Sequence, residues 1–149
     1  MTEPRRPTPV GLPLAVWERE GLAAALAKAG LAAADVKSDG PLFWRFENDD
    51  VPVGFGGLEI FGDQALLRSV LTLPPVRNRG IGSNIVASLE LEARVRGCRV
   101  VWLMTEKAAD FFARLGYRVR EQDEIPNTIR DASPFTSAGA ALCMAKRMD

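Results

Sequence analysis

Residues 70–89 constrain this chain more than any other stretch. Val70-Leu71-Thr72-Leu73 is an apolar run that stops at Pro74-Pro75, which neither a helix interior nor a central strand accepts. A basic turn follows, Val76-Arg77-Asn78-Arg79-Gly80-Ile81-Gly82, after which Ile81, Ile85 and Leu89 recur at helical spacing. The stretch reads strand, turn, helix. Two glycines two apart at a helix start let the backbone approach a ligand, and the first-turn N–H groups, lacking intrahelical acceptors, bind anions. Arg77 and Arg79 flank those donors. Either the glycines only ease the turn or the turn holds a phosphate-bearing ligand, and the flanking arginines favour the second.

The rest of the chain narrows the setting. Its 149 residues suffice for one compact domain and are short for two. Nineteen basic residues balance nineteen acidic ones, so there is no net field to hold nucleic acid, and the basic turn stands out as local. No apolar run has the length of a membrane span, and the N-terminus lacks a signal-peptide core. Cys98 and Cys143 fit neither a disulfide framework nor a zinc site, which points to a reducing, cytoplasmic setting without a metal. The chain has no histidine. Ser-His-Asp and Cys-His catalysis are thereby excluded, and proton transfer falls to carboxylates, hydroxyls, amines or water.

In chain order, residues 1–13 carry four of the ten prolines and read as a flexible leader. Residues 14–29 are expected to form an alanine-rich helix with Leu22 and Leu26 on one face, weakened at Gly21 and stopped at Gly30. A short helix or turn at 31–35 precedes the loop Ser38-Asp39-Gly40-Pro41. Residues 42–47 alternate as a strand, Asn48-Asp49-Asp50 turns, and 53–60 form a second strand. Gly54, Gly56 and Gly57 within it predict a bulge or a surface that something approaches closely. Residues 65–73 make a third strand. After the glycine turn a helix runs to about Arg96, closed by Gly97. Residues 99–104 form a strand, and Thr105 is a candidate N-cap for a helix ending at Leu115 and Gly116. Its apolar face is Ala108, Phe111, Phe112 and Leu115. A strand at 117–121, a helical turn at 127–131 and a closing strand at 140–146 complete the order. The expected architecture is α/β (α+β), a central mixed β-sheet flanked by helices.

These blocks resemble the GNAT superfamily of acyl-CoA-dependent N-acetyltransferases. The family signature, Arg/Gln-x-x-Gly-x-Gly/Ala, is matched by Arg77-Asn78-Arg79-Gly80-Ile81-Gly82 between a strand and a helix. A second block, Leu103-Met104-Thr105 and then 108–117 ending Leu115-Gly116-Tyr117, resembles the family's strand, helix and leucine-glycine-aromatic ending. Within the superfamily, Gly57-Leu58-Glu59, residues 65–70 and 108–112 resemble the small arsenic-resistance acetyltransferases and the acetyltransferase domain of N-acetylglutamate synthases. Thr136-Ser137-Ala138-Gly139 departs from the serine-leucine-cysteine-proline segment common to both groups.

The resemblance implies a GNAT-like fold, residues 14–149 as a single acyl-CoA N-acyltransferase domain, and acetyl-CoA as co-substrate. It implies that Arg77, Asn78, Arg79, Gly80, Ile81, Gly82 and Ser83 bind the pyrophosphate, with Leu71 and Thr72 presenting backbone groups to the pantetheine arm and the acetyl carbonyl. Thr72 is thereby a catalytic candidate, since an N–H aimed at the developing oxyanion is the physical need. Many relatives carry a tyrosine acid where this chain has Phe112, and often a glutamate at Leu66, so Glu59 is the best remaining base. Arg68, mid-strand among leucines, either reaches solvent or meets an anion. Arg68 and Arg130 lie in segments shared with branches acting on amino-acid-like molecules, which implies a carboxylate-bearing acceptor.

The favoured expectation is transfer of an acetyl group from acetyl-CoA to a primary amine of a small molecule, without nucleic acid or membrane partners; a homodimer is compatible with it. The alternative is a non-catalytic acyl-CoA-binding or regulatory domain, motivated by Phe112 and Leu66. A nucleotide-binding fragment is disfavoured, because no Gly-Lys-Ser/Thr follows the glycines.

Overall fold

The computed structural model describes residues 9–30, 40–73, 80–131 and 141–148. Val10–Pro13 do not continue a loose leader. They form strand β1, antiparallel to β2 (Leu42–Asn48), with Val10 opposite Glu47. A sheet edge is where a proline-ended strand is tolerated, since one side of its backbone needs no ladder partner. The earlier part of the expected leader, and the expected helix at 31–35, lie outside the described residues.

The first helix starts later than its composition suggests. Val16–Glu18 form a 3-10 turn, and α1 (Arg19–Lys28) follows without a break at Gly21. Glu18 accounts for the late start: its carboxylate accepts the Ala15 N–H at 3.0 Å and pairs with Arg45 of β2 at 2.5 Å. Leu22 and Leu26, one turn apart, are buried, and Gly30 ends the helix in the left-handed conformation at φ 76°.

Strands β3 (Val51–Phe61) and β4 (Gln64–Thr72) complete an antiparallel meander. Helix α2 (Ile81–Val95) carries the chain across to β5 (Val100–Thr105), parallel to β4. The short helix α3 (Ala109–Arg114) precedes β6 (Arg118–Val119), α4 (Asn127–Arg130) and β7 (Leu142–Arg147). The sheet order is β1-β2-β3-β4-β5-β7-β6, a mixed sheet in which, among the described residues, only β4 and β5 are parallel. The expected fold class is therefore observed. Two boundaries moved. Thr105 stays in β5, and its hydroxyl accepts the Ala108 N–H at 2.9 Å, delaying α3 to Ala109. The strand expected at 117–121 shortens to Arg118–Val119, with the Arg120 N–H still donating to Cys143 O at 2.9 Å; the Tyr117 N–H is used by Phe112 O of the preceding helix.

The meander glycines serve close packing. A Cβ on Gly54 would run into the Leu71 carbonyl oxygen and the Ile85 side chain, and one on Gly56 would lie 2.6 Å from Leu89 Cδ1. Helix α2 rests on β3 through these gaps, burying Ile85, Val86 and Leu89 with Phe46, Leu67 and Leu103. Full burial of each such side chain contributes about 1.5–3 kcal/mol. On the opposite face, α1 covers Phe43 and Leu71, while Ile125 and Ile129 cover Leu66, Trp102, Cys143 and Ala145.

The predicted bulge lies between β3 and β4. Gly57 faces Arg68 but Phe55 faces Leu71, so β4 carries one extra residue, and Ser69 takes φ 58°. One extra residue reverses the facing of everything beyond it. Leu71 consequently joins the α1 cluster, and Thr72 turns toward the start of α2.

Candidate active site

Parallel pairing between β4 and β5 covers Gln64, Ala65 and Leu66 against Val100, Val101 and Trp102. Yet β4 continues to Thr72 and β5 to Thr105. Among the described residues the two strands have no further pairing, and they part into a wedge. A cavity of 580 Å³ lies there, bounded by Ala29, Val70, Leu71, Thr72, Gly80, Ile81, Gly82, Ser83, Ala108, Phe111 and Phe112.

The start of α2 forms one wall. Gly80 is its N-cap at φ 75°, and no atom stands within 4 Å of a Cβ added there, so backbone conformation selects glycine at this point. Asn84 N–H makes the first intrahelical bond, to Gly80 O at 3.2 Å. The N–H groups of Ile81, Gly82 and Ser83 precede it and have no intrahelical acceptor. Three donors at the positive pole of a fifteen-residue helix suit a phosphate group. Gly82 leaves room for one: its Cβ would sit 3.3 Å from the Phe111 ring and 3.5 Å from Thr72 Oγ1. Arg77, Asn78 and Arg79 lie outside the described residues.

Leu71 and Thr72 both border the cavity, but in different ways. The Leu71 side chain is buried against α1, which leaves its backbone to the cavity, while Thr72 turns its hydroxyl toward Gly82. Phe111 and Phe112 form the far wall, ring centroids 5.0 Å apart in an edge-on pair. Sequence reading assigned Ala108 and Phe111 to a core face only; their site role shows once α3 is set across the wedge from α2. Sequence reading places Ala29 with Leu22 and Leu26 on the apolar face of the first helix and gives it no site role.

The carboxylate and the arginines sort differently. Glu59 Oε1 lies 3.8 Å from Arg68 Nη1 on the α1 side of the sheet, and Arg68 is buried. Arg68 directly precedes the bulge, two residues before the cavity-lining Val70. Leu66 is fully buried with Trp102 and Ile129, an environment without proton chemistry. Arg130 is exposed on α4, its Nη2 3.4 Å from Ile125 O, and does not border the cavity. The structure thus brings Glu59 and Arg68 together and leaves Arg130 apart from the cavity wall.

Tyr117, the only tyrosine, is committed elsewhere. Its hydroxyl donates to Glu90 Oε2 at 2.8 Å, and Lys146 Nζ reaches the same carboxylate at 3.1 Å. Burial, then the Glu90 charge and the hydrogen bond, push its pKa far above the ordinary phenol range. It stays protonated, with its hydroxyl turned to Glu90, and it does not border the cavity. Among the described residues no cluster of ligands suited to a metal ion occurs, and no helix is long and apolar enough to cross a membrane.

Residues 39–119 match the family model of the acetyltransferase (GNAT) domain. The chain is 33% identical over 87 residues to the uncharacterized protein YyaT of Bacillus subtilis (strain 168), a match covering 55% of this chain and 59% of that one. It is 38% identical over 74 residues to N-alpha-acetyltransferase 80 of Mus musculus, covering 48% of this chain and 24% of that one. Among solved structures, N-acetylglutamate synthase from Neisseria gonorrhoeae, complexed with coenzyme A and L-arginine, superposes with a TM-score of 0.75 at 18% identity. That match covers 96% of this chain and 34% of the synthase. The chain thus spans less than two thirds of each of these relatives. The match over residues 39–119 shows that this chain belongs to the GNAT family of acetyltransferases.

Proposed function

We propose that this protein transfers an acetyl group from acetyl-CoA to the uncharged primary amine of a small, amino-acid-like molecule. The observation that carries the reading is the uncapped N-terminus of α2 at the wedge, with glycine where a side chain would fill the cradle. We read residues 14–149 as the acyltransferase domain, with β1 added at its sheet edge, working in a reducing, cytoplasmic setting that suits the free thiols Cys98 and Cys143.

Acetyl-CoA, when bound, supplies an activated thioester. The N–H groups of Ile81, Gly82 and Ser83 hold its pyrophosphate, joined by Arg77, Asn78 and Arg79 from the preceding turn. Each charge-assisted bond contributes roughly 1.5–3 kcal/mol, so a few suffice for micromolar binding. Past Leu66, β4 offers the backbone of Leu71 and Thr72 to the pantetheine arm and to the acetyl carbonyl, where negative charge develops as the amine adds. Glu59 takes the proton released from the amine, directly or through water. As the new N–C bond forms and the C–S bond breaks, sulfur leaves as thiolate. Phe112 has no proton to give, so water protonates the leaving sulfur, which at an ordinary thiol pKa of about 8.5 is a moderate leaving group unaided. Arg68 and Arg130 are the candidates for an acceptor carboxylate.

Thiol release from acetyl-CoA across amino acids, glutamate analogues, aminoglycosides and peptides tests this reading. Turnover on at least one small amine is expected; acetyl-CoA binding with no turnover on any amine would sink it.

A further inference from the structure

Three elements that border the cavity converge on one point, the place where a Cβ on Gly82 would stand. Phe111 Cζ of α3 would be 3.3 Å from it, Thr72 Oγ1 of β4 3.5 Å and Phe111 Cε2 3.7 Å. Gly82 belongs to the first turn of α2, so the Phe111 ring closes the gap between the two helices. That ring is backed by others. It packs edge-on against Phe112, centroids 5.0 Å apart with planes at 73°, and Phe112 packs edge-on against Tyr117. Such pairs resist displacement beyond what the apolar area they bury provides. The Tyr117 hydroxyl donates to Glu90 Oε2, which Lys146 Nζ also reaches, and Glu90 lies about two turns beyond Gly82 on the same helix. The three rings thus brace α2 at two places, by contact at Gly82 and by hydrogen bond at Glu90. The side on which Phe111 meets open space is the cavity.

We propose that Phe111 is a positioning residue for the acyl donor, matched to glycine at 82: its braced ring fixes the width of the passage along which the pantetheine arm runs from the start of α2 to Leu71 and Thr72. The proposal rests on the acetyl-transfer reading above and goes beyond it by coupling the donor's path to a contact between two helices. A Cβ at residue 82 has to displace the ring. While the cavity is empty, the ring takes up that displacement by turning into open space. With the pantetheine arm in place this relief is lost, so the cost of crowding appears in donor binding rather than in folding. Alanine is also the better helix former, which keeps the free chain stable. A smaller side chain at 111 acts the other way: it accommodates the added Cβ, but on its own it leaves the arm loosely held and the thioester less well placed.

The test compares wild type, Gly82→Ala, Phe111→Leu and the double variant, each as the full chain, by calorimetric titration of acetyl-CoA and by thermal unfolding without ligand. Gly82→Ala should bind acetyl-CoA about tenfold more weakly, with a Tm no lower than wild type. Adding Phe111→Leu to it should restore affinity to within about threefold of Phe111→Leu alone. Phe111→Leu by itself should raise KM for acetyl-CoA by about three- to tenfold and lower kcat by less. Phe111→Met takes its place if the leucine variant does not fold. A loss in Gly82→Ala that persists in the double variant puts the added Cβ against the ligand itself and overturns the matched pair; Gly82→Ala binding as tightly as wild type overturns it too. Thiol release from acetyl-CoA over the amine panel is measured in parallel. Coupled binding without thiol release on any amine defeats the acetyl-transfer reading and leaves the role of Phe111 standing; thiol release with an uncoupled loss does the reverse. A wild-type chain that does not bind acetyl-CoA overturns both.

Discussion

The ring of Phe112 meets that of Tyr117 edge-on, with centroids 5.6 Å apart and planes at 76°. Phe112 borders the cavity, while Tyr117 turns its hydroxyl away to Glu90. The pair separates two roles that many relatives combine in one tyrosine: the aromatic wall is kept at the site, and the hydroxyl serves the α2–β7 junction. Tyr117→Phe should therefore lower stability by about 1–2 kcal/mol, the cost of leaving a half-buried carboxylate short of one donor. Its turnover should stay within about twofold of wild type, since nothing at the reacting atoms changes. Paired denaturation and steady-state kinetics check this, and a large drop in kcat at unchanged stability would make Tyr117 the acid.

Gly82→Asp should weaken acetyl-CoA binding at least roughly tenfold by calorimetry. The new side chain must enter a space bounded by the Phe111 ring at 3.3 Å and Thr72 Oγ1 at 3.5 Å, and it brings negative charge to the anion-binding end of α2. Unchanged affinity would remove the pyrophosphate assignment.

Glu59→Gln keeps shape and removes a base. If Glu59 accepts the amine proton, kcat should fall by about two to four orders of magnitude, and the acid limb of the pH–rate profile should flatten. A profile identical to wild type at both low and high pH assigns Glu59 to holding Arg68 alone.

Alkaline pH should destabilise the fold. Burial, then the nearby Glu124 charge, pushes the Cys143 thiol up to about 11, and Tyr117 is shifted in the same direction. An unfolded thiol ionises near about 8.5, so between these values the unfolded chain has lost a proton that the folded chain keeps. The contribution is fully present below the unfolded value and is lost as pH rises through the folded one. Thermal unfolding followed from neutral pH upward should show a falling Tm, less steep in Cys143→Ala; equal slopes would reject the assignment to Cys143.

Gly54→Ala should cost about 1–3 kcal/mol, because the added Cβ meets the Leu71 carbonyl oxygen and cannot be relieved by a side-chain rotation alone. Gly21→Ala, with nothing within 4 Å of the new Cβ and a continuous helix around it, should instead stabilise by about 0.4–1 kcal/mol. Denaturant midpoints of the two variants compare them directly.

Much of the fold was legible locally. Ile81, Ile85 and Leu89 declared α2, the alternation from Leu42 to Phe46 declared β2, and the glycines of β3 announced a close approach. Each is a statement about neighbours along the chain, where side-chain period and backbone freedom act directly. Boundaries slipped where a side chain found a distant partner: Glu18 reaching Arg45 shortened the first helix, and β1 formed because β2 offered it an edge.

The site divided along the same line. The match to the family is carried by one continuous stretch, from β4 to the glycines at the start of α2, so the sequence by itself determined the strand, the glycines and the helix of that motif. The meeting of side chains on the α1 face of the sheet was decided only by tertiary structure. Arg19, Phe43, Glu59 and Arg68 come from four separate elements, and their meeting depends on sheet register, on the empty position at Gly57 and on the bulge at Ser69. A one-residue change in register would turn Arg68 to the other face, and no local pattern of residues encodes which register the folded sheet adopts.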